Sequence, residues 1–129
     1  MTEPADNPQK PALPRIKLRL DYGPALTLGP GKADLLTGIA ELGSISAAGR
    51  RMGMSYKRAW SLVEEMNSAF ARPLVDSARG GPGGGGAVLT ETGAQVLAHF
   101  RALESLLVGA GSGDIAAITG MLDDMSERK

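Results

Sequence analysis

The sequence has no cysteine, a single histidine, no net charge and few aromatic residues (one Trp, two Tyr, two Phe) among its 129 positions. Without thiols there is neither a disulfide scaffold nor a thiolate metal site. With His99 as the lone histidine, a histidine-based metal site or a Ser-His-Asp triad has nothing to build on. His99 reads instead as a surface or interface residue of a helix. No nucleophile–base pair and no metal-ligating set emerges, so the chain does not read as an enzyme, and no catalytic residue, metal or cofactor is expected. No apolar run approaches the roughly 18 residues of a membrane span. The first fourteen residues hold four prolines and no apolar stretch, unlike a signal peptide. No membrane association is expected, and the expected compartment is the bacterial cytoplasm.

What is present is ordinary in bulk and uneven in detail. The length suits one domain with a flexible end or two, and 43% apolar with 22% charged residues is a globular balance. Glycine is the outlier, with 18 residues, six of them within Gly80–Gly86. Fourteen Lys and Arg oppose fourteen Asp and Glu, which taken as a sum argues against a nucleic-acid binder. The distribution of those charges argues the other way.

Met1–Pro14 is polar and Pro-rich and reads as a disordered arm, residues 1–14. Arg15-Ile16-Lys17-Leu18-Arg19-Leu20 alternates basic and aliphatic residues, the pattern of a half-buried strand, and Ala25–Leu28 can return beside it after the turn at Asp21-Tyr22-Gly23-Pro24. Gly29-Pro30-Gly31 breaks the chain. Lys32–Leu42 then carries Leu35, Leu36, Ile39 and Leu42 on one helical face, with Gly43 as its C-cap. Ser46 is positioned to cap a short helix through Met52, and Ser55 to cap a second one to about Ala71, with Ala59, Leu62, Val63, Met66 and Phe70 as its apolar stripe. Leu74–Ala78 and Ala87–Leu89 read as strands flanking a glycine loop, Arg79–Gly86. Thr90, or Thr92 with Gln95 as a capping box, starts a long last helix that ends near Gly109. The order β-β-α-α-α-β-β-α predicts a mainly α fold with small β: a winged helix-turn-helix over residues 15–109 with a long C-terminal dimerisation helix. Residues 110–129 form a short acidic tail.

A helix-turn-helix needs a small residue inside its first helix and a residue tolerant of positive φ in the turn. Gly49 and Gly53 fill these places, and Ile45, Ala48, Met52, Met54, Ala59 and Leu62 point back to the shared core. Between Gly49 and Ala59 stand Arg50, Arg51, Lys57 and Arg58 and no acid; the next acids are Glu64 and Glu65. A recognition helix meets base edges with its N-terminal residues, where positive charge and hydrogen-bond donors are useful. Asp114–Glu127, by contrast, holds four acids and no base, so zero net charge is the sum of a basic face and an acidic tail. The DNA-contact candidates are Ser44, Ser46, Arg50, Arg51, Ser55, Tyr56, Lys57, Arg58, Trp60 and Ser61. Ser55 is a helix cap first, and Tyr56 and Trp60, at i and i+4, can equally serve to cover the core. The glycine run contains a formal G-x-G-x-x-G at Gly81, Gly83 and Gly86, but it leads into a strand rather than a helix, which rejects a dinucleotide fingerprint. It reads better as a wing tip, with Gly83 and Gly84 allowing close backbone approach to phosphates and Arg79 at the base as a phosphate or minor-groove contact. Val96, Phe100, Leu103 and Leu107 line one face of the last helix and are the expected dimer contacts.

At Gly43-Ser44-Ile45-Ser46-Ala47-Ala48, Met52 through Trp60, Met66-Asn67, the wing through Gly93 and Leu28-Gly29-Pro30-Gly31-Lys32, the chain resembles the N-terminal DNA-binding domain of ModE-type molybdate-responsive regulators, which is related to the LysR-type helix-turn-helix. The resemblance spans about Arg15 to Leu107. It implies a homodimeric, sequence-specific transcriptional regulator, with a recognition helix in the major groove of double-stranded DNA and a palindromic operator. Gly49 departs from the alanine common in the family, which implies a looser helix by up to about 1 kcal/mol. Full-length members also carry a C-terminal oxyanion-binding module, for which about twenty residues of tail are too few. Direct molybdate binding is therefore not expected. Two alternatives stay open: a winged-helix interaction module that docks a protein through its last helix without binding DNA, and a sensor with an effector pocket between subunits.

Overall fold

The computed structural model describes residues 14–77 and 86–123. In chain order its elements are β1 (Leu20–Asp21), β2 (Thr27–Leu28), α1 (Pro30–Leu42), α2 (Ile45–Arg51), α3 (Tyr56–Ala69), β3 (Val75–Ser77), β4 (Ala87–Leu89), α4 (Glu91–Ala110) and α5 (Ser112–Gly120). The strands form two antiparallel pairs, with Leu20 opposite Leu28 in the first and Val75, Asp76 and Ser77 opposite Leu89, Val88 and Ala87 in the second. This is the mainly α, winged helix-turn-helix order that the sequence predicts.

Lys17–Ala102 is one compact unit; residues 14–16 and 103–123 fall in a second. The core lies in the first. Leu35, Leu36 and Ile39 of α1, Ala48 of α2, Ala59, Val63 and Met66 of α3, Leu74 before β3 and Phe100 of α4 are all buried in one cluster. Each large side chain among them contributes roughly 1.5–3 kcal/mol relative to exposure.

Local chemistry sets the element ends, and at several of them it differs from the sequence pattern. Gly29-Pro30 does not break the chain: Gly29 is the extended N-cap of α1 and Pro30 its first residue, where a missing N–H costs nothing and φ is already helical. Gly43 does close α1, in the left-handed conformation at φ 69°, its N–H donating to the Ile39 carbonyl. The cap of α2 is Ser44 and not Ser46: Ser44 is extended and its Oγ accepts from the Ala47 N–H at 3.0 Å. Ser46 lies inside the helix. α3 ends at Ala69, short of Pro73. Of the predicted strand Arg15–Leu20, Leu20 alone is paired, although the alternation of faces is right: Leu18 and Leu20 pack on the core, and Arg15, Lys17 and Arg19 are exposed. α4 starts behind Thr90, whose Oγ accepts from the Gly93 N–H at 3.0 Å. In the second unit, after a one-residue interruption at Gly111, the chain resumes a helix, α5, where a short acidic tail is the expectation.

Candidate nucleic-acid interface

α2, the turn Met52–Ser55 and α3 are locked together by backbone bonds and close packing. Met52 N–H donates to the Ala48 and Gly49 carbonyls, Gly53 N–H to Arg50 and Met54 N–H to Gly49 at 2.9 Å. Gly53 takes φ 76°, a conformation that a side chain at this place would resist. Gly49 is the contact point of the two helices: a Cβ built there would stand 2.8 Å from the Cβ of Ala59. Ser55 then caps α3, its Oγ accepting from the Arg58 N–H at 3.0 Å. With Ala59, Leu62, Val63 and Met66 turned into the core, Lys57 and Ser61 are exposed on the opposite side, and Tyr56 and Arg58 are exposed on the flanks at the start of the helix. Trp60 is partly buried against the core and meets the Tyr56 ring edge-on, with centroids 6.1 Å apart. The cluster is therefore shared: Trp60 anchors, and Tyr56, 60% exposed, is held at the surface.

The basic residues divide by partner. Arg51 is paired with Glu41 of α1 at 2.7 Å, so its charge is spent on tying α2 to α1. Arg50 donates from Nη1 to the Ser46 Oγ at 3.0 Å, a neutral partner that leaves its charge uncompensated. Lys57 and Arg58 have no ion-pair partner among the described residues. The positive face is thus Arg50, Lys57 and Arg58 rather than all four cations. Ser44 has its oxygen committed to the cap. Arg79, Gly83 and Gly84, the wing-tip candidates, lie outside the described residues.

The base of the wing is fastened at three places. Asn67, partly buried near the end of α3, accepts from the N–H groups of Leu74 and Val75 at 2.8 and 3.1 Å and donates to the Val75 carbonyl at 3.1 Å. Ala87 N–H donates to the Gly43 carbonyl at 2.9 Å, which docks β4 on the junction of α1 and α2. Thr90 donates from its hydroxyl to the Pro73 carbonyl and from its N–H to Leu74. In the sequence Asn67 stands out only within the resemblance at Met66-Asn67. Its one legible signal is an amide that follows the last buried residue of the helix and is four residues past Val63.

The four proposed dimer residues also part company. Phe100 is 2% exposed and belongs to the core of its own domain, with Val96 packed beside it. Leu103 and Leu107 are 39% and 41% exposed, and Leu106 and Val108 more so. Among the described residues no group of three His, Asp or Glu could hold a metal ion, and no helix is long and apolar enough to cross a membrane.

Two helices crossing at a glycine, a capped and basic second helix and a hairpin fastened beside it define a winged helix-turn-helix domain. Residues 33–94 match the family model described as bacterial regulatory helix-turn-helix protein, lysR family. The chain is 47% identical over 78 residues to the molybdenum-pterin-binding protein MopB of Rhodobacter capsulatus, covering 60% of this chain and 29% of that protein. It is 41% identical over 91 residues to the DNA-binding transcriptional dual regulator ModE of Escherichia coli K12, covering 70% of this chain and 35% of that one. To the molybdenum transport protein ModE of Azotobacter vinelandii it is 35% identical over 125 residues, or 88% of this chain and 46% of that protein. The chain thus spans less than half the length of these curated relatives.

Proposed function

We propose that the protein is a sequence-specific transcriptional regulator that binds double-stranded DNA as a homodimer. The N-terminal half of α3 enters the major groove, and the hairpin β3–β4 with its glycine tip lies against backbone or minor groove. The observation that carries the reading is the exposed, acid-free start of α3, where Lys57 and Arg58 meet no competing carboxylate among the described residues. Cations in that place serve both groove reading and phosphate contact. Direct molybdate binding by this chain is not part of the proposal. The exposed Leu106, Val108, Met121 and Leu122 also suit an interaction module with no DNA partner.

The two readings separate on one experiment. Lys57→Ala combined with Arg58→Ala is expected to abolish binding to DNA fragments selected by the wild-type protein, with thermal melting close to wild type because both side chains are exposed and make no ion pair among the described residues. Affinity of the wild type should fall with salt by about one power per phosphate neutralised. Unchanged affinity in the double variant, or a flat salt response, would overturn the DNA reading and favour the interaction module.

A further inference from the structure

We propose that Glu64 is a specificity-determining residue of the DNA face, reading the amino group of one cytosine in each half-site. This rests on the major-groove placement of α3 proposed above, carried from its N-terminal half into the third turn, where Glu64 lies. α3 runs from Tyr56 to Ala69, and its buried stripe is Ala59, Leu62, Val63 and Met66. Opposite that stripe, at spacings i, i+4, i+7 and i+11, lie Lys57, Ser61, Glu64 and Ser68, all four exposed. The carboxylate therefore lies in the centre line of the outward face, not on its flank. At 1.5 Å per residue, Glu64 is about 10 Å along the axis from Lys57, about three base-pair steps.

The two neighbouring acids of α3 are not equivalent. Glu65 lies to one side and is engaged by Lys32 of α1 at 3.5 Å. Glu64 has no ion-pair or hydrogen-bond partner among the described residues, and its helical neighbours at three and four positions on either side are Ser61, Trp60, Asn67 and Ser68. No cation is in reach within the helix to neutralise it. A bare carboxylate aimed at a polyanion is repelled unless it meets a donor. In the major groove the donors are the amino groups of cytosine and adenine. The adenine amino group stands beside N7 on the same base, an acceptor that repels a carboxylate, whereas the cytosine amino group has a C–H beside it on its own edge. The favoured base is cytosine.

The test uses the full chain and a random pool of double-stranded oligonucleotides, selected in parallel with the wild type, Glu64→Ala and Glu64→Gln, followed by titration of single-base variants of the wild-type winner. Replacement of the one cytosine is expected to cost the wild type about tenfold, within the range of a single side chain reading a base edge. Glu64→Ala should reduce that penalty to within about twofold and leave the other positions of the site unchanged. Glu64→Gln should shift the preference to adenine, since a carboxamide matches both N6 and N7. A wild-type cytosine penalty retained in full by Glu64→Ala overturns the inference and reduces Glu64 to a repulsive charge. Wild-type binding without sequence preference overturns it while leaving DNA binding in place, and no wild-type binding at all overturns the proposed function with it.

Discussion

Gly49 shows how one residue is judged differently by a helix and by a pair of helices. In an isolated helix an alanine at this place is better than glycine by up to about 1 kcal/mol. In the folded domain the added methyl would stand 2.8 Å from the Cβ of Ala59 and 3.4 Å from the Cγ of Met54. A Cβ cannot swing away as a long side chain can, so α2 and α3 must separate, and overpacking of this kind costs about 1–3 kcal/mol. The steric term outweighs propensity. Gly49→Ala is expected to destabilise the domain by about 1 kcal/mol net, read as a fall of roughly 4–8 °C in melting temperature. The cycle with Ala59→Gly isolates the cause: the double variant should be more stable than the sum of the single effects predicts, by at least about 0.5 kcal/mol. Additive single effects would mean that the two methyl groups never compete.

At the scale of elements, Asn67 decides where the wing leaves the helix-turn-helix. Its side chain satisfies two backbone N–H groups and one carbonyl at the start of β3. Removal of the amide leaves partly buried groups to find water or go unpaired, at about 1–3 kcal/mol per group left unsatisfied. Asn67→Ala should therefore cost about 2 kcal/mol, scaled down for partial exposure. Amide exchange at Leu74 and Val75 should speed up, while that in α1 tracks global stability alone. Asn67→Asp keeps both acceptor bonds and is expected to recover most of the loss. Equal exchange at Leu74 in wild type and Asn67→Ala would remove Asn67 from this role.

The elements also show what a linear sequence carries and what it does not. Amphipathic periodicity was enough for α1, α3 and α4, because burial of a stripe is a property of the segment itself: Leu35, Leu36 and Ile39 are all buried. The turn glycine and the Ser55 cap were legible for the same reason, as local backbone chemistry. Ser44 against Ser46 was not, since both precede a plausible helix and the choice falls to whichever residue Gly43 leaves extended. The strand at Arg15–Leu20 overreached because alternation fixes which side chains face the core and says nothing of whether a partner strand runs alongside. At the candidate interface, residue type alone treats Arg50, Arg51, Lys57 and Arg58 alike, but the neutralisation of Arg51 depends on Glu41, ten residues away on another helix. Phe100 is buried in the core of its own domain on the same principle: an apolar stripe records that it is covered, not by what.

Across the whole molecule, that distinction separates folding from assembly. Phe100, buried in the domain core, is a folding residue; Leu103 and Leu107, continuing the stripe along α4, remain exposed. An exposed apolar row of this kind favours a partner surface, and a second copy of the chain supplies an identical one. Phe100→Ala is expected to cost about 3–5 kcal/mol of stability, with unfolding at lower denaturant concentration in any oligomeric state. Leu103→Glu with Leu107→Glu should instead act on mass: sedimentation shifts from dimer to monomer at concentrations where the wild type is paired, because two carboxylates brought to a seam lose hydration without gaining partners. A monomer engages one half-site at a time and forfeits the effective concentration that ties the second to the first. Operator affinity should accordingly drop by a factor of about 100 or more, while binding to an isolated half-site is unchanged. A double variant that still sediments as the wild-type dimer would place the seam away from this face of α4, and one that melts like Phe100→Ala would make Leu103 and Leu107 part of the fold.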